Sequence, residues 1–246
     1  MNVNESLITE DGTGLADARR FRSMVGGLNY LSHTRPDIVF SISVISRFMH
    51  NPTLHHYGAA KRILRYVAGT SDLGIWYKKV SDFKLVGFSD SDWAGCVEER
   101  KSTSGHTFSL GSGAISWSSK KQEVVALSSS EAEYIVVTAA ACQAVWLRRL
   151  LRDFLQVQNG ATELFCDNKS TISMTKNPAF HSRTKHIDIR YHFIRSLVSS
   201  DDIVLKYCNT NEQVADILTK PLPQAKHLLF RDRLGVSDFE SRGSVE

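Results

Sequence analysis

Four acidic residues, each in a different local context, are spread through the last two thirds of this 246-residue chain. Asp90 and Asp167 end short apolar runs of the kind that form strands, whereas Glu133 and Asp216 lie in runs with helical spacing. Carboxylates are preferred ligands of hard cations such as Mg²⁺, and two such ions can activate water and stabilise the leaving oxygen of a phosphodiester. These residues are therefore candidates for a metal-dependent hydrolytic site.

Taken singly, each acidic residue also has an ordinary structural explanation. An aspartate at a strand end commonly forms a turn, and Asp92 is as good a candidate as Asp90 if the strand continues, because both would share one face. Glu131 and Glu133 are about 200° apart on one helical turn, so only one of them can face a given site. Asp216 is a poor helix former and would usually just be exposed.

Basic residues could contact the phosphates of a nucleic acid. The run 181–195 carries three histidines and four other cations against a single acidic residue, with an apolar stripe between them, although a solvated helix face explains this pattern equally well. Lys120 and Lys121, which follow shortly after Trp117, could make a second contact to phosphates, although a plain solvated turn explains this pair equally well. The candidate nucleic-acid-binding residues are Lys120, Lys121, Arg183, Lys185, His186 and Arg190.

Composition predicts a globular protein that suits an anionic partner. The apolar fraction is 42%, the charged fraction 23% and the formal net charge +4. Four scattered cysteines form no Cys-x-x-Cys pair, so neither a zinc site nor a disulfide framework is indicated. We find no signal peptide and no apolar run of about 20 residues. The chain is therefore expected to be intracellular, cytoplasmic or nuclear, without a membrane partner.

The order of the elements predicts an α/β fold. Residues 1–15 are polar and expected to be disordered; helical periodicity follows to about residue 70, with Pro36 and Pro52 at helix starts and Thr34 and Asn51 as potential caps. After that the pattern changes to strands, near residues 75–77, 85–88, 106–110 and 114–117. A long helix over about 130–154 precedes further strands at 163–166 and 203–208, interleaved with shorter helices, the last starting near residue 212.

With these motifs in view, residues 84–222 resemble the ribonuclease H domain of copia-type long-terminal-repeat retrotransposon polyproteins. The segments that carry the resemblance are 87–95 (GFSDSDWAG), 102–105 (STSG), 115–122 (ISWSSKKQ), 126–134 (ALSSSEAEY), 166–168 (CDN), 183–188 (RTKHID) and 215–222 (ADILTKPL). Upstream, 21–31 (FRSMVGGLNYL) and 34–38 (TRPDI) resemble the end of the reverse transcriptase in the same polyproteins.

The resemblance implies a ribonuclease H-like mixed five-stranded sheet with flanking helices, preceded by a small helical segment. It also implies a site of Asp90, Glu133, Asp167 and Asp216 that binds two Mg²⁺ or Mn²⁺ ions. The implied activity is endonucleolytic hydrolysis of the RNA strand of an RNA–DNA hybrid, with specificity from contacts to 2′-hydroxyls. The implied divisions are a helical end of reverse transcriptase at 16–80, a ribonuclease H-like domain at 81–224 and a tail at 225–246.

Two departures from the family pattern limit what is carried over. The stretch before the last aspartate, 207–212, has no histidine where many ribonucleases H have one, and no Tyr-x-Asp-Asp polymerase motif occurs. We therefore expect a fragment that lacks the polymerase palm, with a polymerase domain in trans as a possible partner. The alternative is a catalytically silent or host-recruited remnant that acts at most as a nucleic-acid-binding module.

Overall fold

A computed structural model describes residues 3, 5–81, 83–176 and 185–238, and for residues 176 and 185–191 it describes the backbone alone. The predicted α/β architecture is confirmed: a small helical unit precedes a mixed five-stranded sheet flanked by helices.

The helical unit contains three α-helices, α1 (Ala18–Leu31), α2 (Val39–Ile45) and α3 (Leu54–Ala68), with 3₁₀ turns at Pro36–Ile38 and Ser46–Phe48. Their apolar stripes meet in one core. Asp17 caps α1, and Thr53 caps α3 in a reciprocal capping box with His56, so the predicted cap at Asn51 is two residues too early.

The main sheet contains β2 (Leu85–Asp92), β3 (Thr103–Leu110), β4 (Ala114–Lys121), β5 (Thr162–Cys166) and β6 (Ile203–Tyr207). Their spatial order is β4-β3-β2-β5-β6. The hairpin strands β2, β3 and β4 are antiparallel, whereas β5 and β6 run parallel to β2. The carboxyl ends of β2, β5 and β6 therefore lie at one edge of the sheet.

Helices cover both faces of this sheet. The long helix α4 (Ser129–Asp153) packs on one face in the largest apolar core, and α5 (Lys169–Lys176) and α6 (Lys185–Ser199) lie beside it. The helical unit lies against β4, where Trp117 Nε1 donates to the Ser32 carbonyl at 3.1 Å and Arg47 donates to Thr103 Oγ1 of β3 at 3.1 Å.

Residues 224–238 form regular elements, whereas the sequence predicts a tail at 225–246. These elements are α7 (Gln224–Arg233) and β7 (Val236–Asp238), and β7 pairs antiparallel with β1 (Leu73–Ile75). Phe230 is completely buried among the apolar residues of the 3₁₀ helix Val214–Leu218. The few apolar residues of this segment show little periodicity in the sequence. They are nevertheless buried, because they pack against the apolar side of the 3₁₀ helix.

The amino-terminal segment 5–15, which the sequence predicts to be disordered, contacts two parts of the fold. Glu5 pairs with Arg62 of α3, and Asp11 Oδ2 accepts from Thr53 Oγ1 at 2.5 Å. Thr9 binds the Glu98 carboxylate through its backbone N–H at 2.6 Å and its hydroxyl at 2.8 Å. Polar contacts rather than apolar periodicity order this segment.

Helix α4 is long and apolar enough to cross a membrane by length and composition alone. It is instead the core helix of this fold, with its apolar side packed on the sheet. The sequence analysis finds no apolar run of about 20 residues, yet α4 meets the length and composition expected of a membrane-spanning helix. Buried core helices commonly meet the same two criteria.

Candidate active site

The register of the two central parallel strands brings Asp90 and Asp167 level with each other. Phe88 of β2 pairs with Phe165 of β5, and their rings stack with centroids 5.0 Å apart. Each aspartate lies two residues beyond its phenylalanine, so both side chains leave the sheet edge on one face. Asp90 is inside the end of β2 rather than after it, and Asp167 directly follows β5.

Asp216 reaches the same place from the 3₁₀ helix Val214–Leu218, where the sequence predicts an α-helix. This helix is fixed to the sheet by Gln213, which donates to the Ser89 carbonyl at 2.9 Å, and by Thr219, whose hydroxyl donates to the Asp90 carboxylate. Asp216 itself is completely buried. The tight 3₁₀ turn thus directs an aspartate inward.

Glu133 approaches the site from the other face of the sheet. Ser128 caps α4, which turns Glu133 inward to a 4% exposed position while Glu131 accepts a hydrogen bond from the Leu127 backbone at 2.8 Å. Glu133 Oε1 accepts from the Ser91 N–H at 2.8 Å, and its other oxygen lies 3.6 Å from Cys166 Sγ. The structure therefore selects Glu133 over Glu131 as the inward glutamate.

The acidic residues converge in two overlapping groups within the described part of the chain. One carboxylate oxygen from each of Asp90, Asp167 and Asp216 lies within 4.8 Å of the others, and Glu133, Cys166 and Asp167 form a second group by the same measure. Asp167 belongs to both groups. All four sequence-predicted carboxylates are thus brought together around Asp167.

Gly105, in the segment 102–105, leaves room for the chain that carries Asp216. It lies opposite Asp90 in the β2–β3 pair, and a Cβ at this position would come within 2.6 Å of Thr219 Cγ2 and 2.8 Å of Leu218 Cβ. Only a glycine lets the Asp216-bearing segment lie this close to the sheet.

Asp92, the alternative to Asp90, has a different role. Its carboxylate accepts a hydrogen bond from the Thr103 backbone N–H and lies against Gly95. Burial raises its pKa to about 6. Asp92 thus holds the turn between β2 and β3, and it belongs to neither acidic group.

Two lysines contribute positive charge to the acidic cluster. Lys220 Nζ lies 2.8 Å from Asp216 Oδ1 and 3.5 Å from Asp90 Oδ2, and Lys226 Nζ of α7 lies 2.7 Å from Asp216 Oδ2. The acidic residues therefore already attract cations. The spacing of four residues between Asp216 and Lys220 is visible in the sequence, whereas no sequence signal marks Lys226.

Burial dominates the electrostatics of the site. It raises the pKa of Asp90 to about 7, helped by Asp216 and Asp167 and opposed by Lys220. It also raises the pKa of Glu133 well above its usual value, and Asp90 adds to that shift. Burial alone would lower the pKa of Lys220, but Asp90 and Asp216 outweigh it and raise that pKa. Such a site favours an added positive charge.

The predicted nucleic-acid-binding residues are only partly described. Lys120 is exposed, and Lys121 forms an ion pair with Glu99 at 2.5 Å. Both residues end β4, at the same end of the strands as Asp90. Arg183 lies outside the described residues. Lys185, His186 and Arg190 belong to α6, but their side chains are outside the described part.

Curated relatives show which family the chain belongs to. It is 42% identical over 236 residues to the retrovirus-related Pol polyprotein from transposon RE2 of Arabidopsis thaliana, and 44% identical over 237 residues to that from transposon RE1 of the same plant. Each alignment covers 96% of this chain. The chain belongs to the copia-type transposon Pol polyproteins. It spans 16% of the length of these two relatives, and no protein-family model matches it.

A solved structure agrees with this Pol assignment at the level of fold. The foamy viral protease-reverse transcriptase in complex with RNA/DNA hybrid matches 88% of this chain and 27% of that chain with a TM-score of 0.53 and 16% sequence identity. The match extends over most of the chain and thus includes parts of both the helical unit and the sheet. At this identity the likeness shows the fold alone.

Proposed function

We propose that this Pol segment is a ribonuclease H-type endonuclease that hydrolyses the RNA strand of an RNA–DNA hybrid by a two-metal mechanism. The observation that supports it most is the convergence of Asp90, Asp167 and Asp216 within 4.8 Å, with Glu133 beside Asp167. The Pol relatives and the hybrid named in the foamy viral structure support the same class of substrate.

The donor set fits two Mg²⁺ or Mn²⁺ ions. The four proposed ligands are carboxylates, which hard divalent cations prefer, and Asp167 is placed to be shared between the two acidic groups. Bound ions of this kind would activate the attacking water and stabilise the leaving oxygen. Cys166, a softer ligand, belongs to one group but is completely buried in the core.

The chain's own residues prepare this site in three ways. The Ser91 N–H orients Glu133, and the Thr219 hydroxyl orients Asp90. Thr210 Oγ1 donates to Asp167 at 3.1 Å from the loop after β6. These bonds fix the carboxylates before any ligand binds, and such preorganisation is what catalysis by positioned charges requires.

The basic residues outside the helical unit provide the proposed contacts to the hybrid. Residues 16–80 are assigned as the end of a reverse transcriptase, and residues 81–238 as the ribonuclease H unit, which extends the sequence-based boundary to include α7 and β7. Lys120, Lys121 and the basic helix α6 are the proposed phosphate contacts, and a polymerase domain in trans is the proposed partner. An intracellular location, cytoplasmic or nuclear, stays a prediction.

The deciding experiment is cleavage of a labelled RNA–DNA hybrid by the purified chain with Mg²⁺ or Mn²⁺. Single-stranded RNA and an EDTA reaction serve as controls. Metal-dependent cutting of the hybrid alone is the expected result. Binding of the hybrid without cutting by a folded protein would contradict the enzyme assignment and favour the alternative, a catalytically silent nucleic-acid-binding remnant.

A further inference from the structure

Helix α7 brings a positive charge to the acidic cluster from outside the segments that resemble ribonuclease H. Lys226 Nζ lies 2.7 Å from Asp216 Oδ2 and donates to the Thr210 carbonyl at 3.1 Å. Completely buried Phe230, on the same helix, anchors α7. Lys226 thus links Asp216 to the loop that contacts Asp167.

Both oxygens of Asp216 face an ammonium group. Lys220 approaches Oδ1 and Lys226 approaches Oδ2, and the Asp216 side chain has no exposed surface. A cation that binds Asp216 must therefore compete with one of the two lysines. Lys226 is the more easily displaced partner by position, because it comes from a separate helix and contacts no other carboxylate among the described residues.

We propose that Lys226 competes with a divalent cation for Asp216 and, once displaced, contacts a phosphate of the bound nucleic acid. This inference rests on the proposed function. The lysine side chain is 24% exposed, so its ammonium can turn towards solvent without opening the core. Its Nζ lies 5.1 Å from the centroid of the buried Phe230 ring on the same helix, and the anchoring of α7 by Phe230 keeps the lysine near the site after displacement.

The first test measures Mn²⁺ binding without nucleic acid, by electron paramagnetic resonance of the free ion. K226M is expected to bind Mn²⁺ about tenfold more tightly than the wild type, because a competing charge is lost. K226R keeps the charge and should match the wild type. K84M is the matched control, since Lys84 pairs with Glu163 at the opposite end of the sheet.

The second test measures binding of a fluorescent RNA–DNA hybrid by anisotropy, with Ca²⁺ in place of Mg²⁺, across a range of salt concentrations. K226M should bind more weakly, and the slope of log K against log salt should fall by about one unit, as for the loss of one phosphate contact. K226R and K84M should keep the wild-type slope.

Equal Mn²⁺ affinity of wild type and K226M, both folded by circular dichroism, would overturn the inference and leave the proposed function standing. An unchanged salt slope in K226M would overturn the phosphate contact. Failure of both proteins to bind Mn²⁺ would overturn the proposed metal site and this inference with it.

Discussion

Gly105 lies directly opposite Asp90 in the antiparallel pair of β2 and β3, and its missing side chain is the space that Thr219 and Leu218 occupy. The segment that carries Asp216 can therefore reach Asp90. The geometry of the acidic cluster therefore depends on the close contact of Gly105 with Thr219 and Leu218, in addition to the carboxylates themselves.

Gly105→Ala should displace the segment that carries Thr219 and Asp216. We expect a loss of about 1–3 kcal/mol in the free energy of unfolding, because the new methyl group has no room. Hydrolysis of the hybrid should fall at least about tenfold in kcat, because a shift of about 1 Å in a catalytic group can cost up to about a hundredfold in rate. Gly58→Ala in α3 is the control: apart from the neighbouring backbone of its own helix, no described atom lies within 4 Å of its Cβ position, so the stability of this variant should hold or rise.

Asp167→Asn should remove hydrolysis while hybrid binding stays largely intact. The change deletes a negative charge shared by both acidic groups but hardly changes the volume. We expect a decrease in cleavage rate of at least about a hundredfold. Single-turnover cleavage and anisotropy binding measure the two properties separately, and wild-type turnover in this variant would refute the site assignment.

Glu133→Gln and Glu131→Gln should differ sharply although the two residues share one helical turn. Glu133 is buried against Ser91 and Asp167, whereas Glu131 only accepts a bond from the Leu127 N–H, which glutamine can also accept. Cleavage should fall at least about a hundredfold for Glu133→Gln and remain near the wild-type rate for Glu131→Gln. Equal losses in the two variants would contradict the placement of α4.

Phe230→Ala should destabilise the folded protein by about 3–5 kcal/mol, because Phe230 is completely buried between α7 and the 3₁₀ helix. Leu229→Ala, at a neighbouring position that is 45% exposed, is the matched control and should cost much less. Urea denaturation of both variants measures the difference. Similar small effects would mean that the segment from residue 225 is the tail that the sequence predicts.

His106 should make the protein less stable in mild acid. Burial lowers its pKa to about 4, whereas an unfolded histidine titrates near 6.5. The unfolded state therefore binds a proton first as the pH falls, so the His106 contribution is fully present above pH 6.5 and is lost between about 6.5 and 4, by up to about 3 kcal/mol.

The measurement is the difference in unfolding free energy between wild type and His106→Gln as a function of pH. Subtraction removes the contributions of Asp90, Asp92 and Glu133, whose raised pKa values act in the opposite direction. A difference that stays constant from pH 7 to pH 4 would show that the pKa of the half-buried His106 is not lowered in the folded protein.

The sequence alone predicted most of the helices and strands and, through the family resemblance, the four acidic residues of the proposed site. Apolar alternation and helical spacing mark strands and helices locally. This pattern places Asp90 and Asp167 near the carboxyl ends of two strands. Seven linked motifs were enough to indicate the family and its fold. Strands and helices can be predicted in this way because their apolar residues recur at regular spacing along the chain.

The tertiary structure decided which alternatives hold and what else enters the site. Cap geometry at Ser128 selected Glu133, the β2–β3 turn engaged Asp92, and the close approach at Gly105 positioned Asp216. Lys226 joined the cluster because α7 folds back onto the 3₁₀ helix, a contact between residues with no shared periodicity. Such contacts depend on packing between distant segments, which local sequence patterns do not encode.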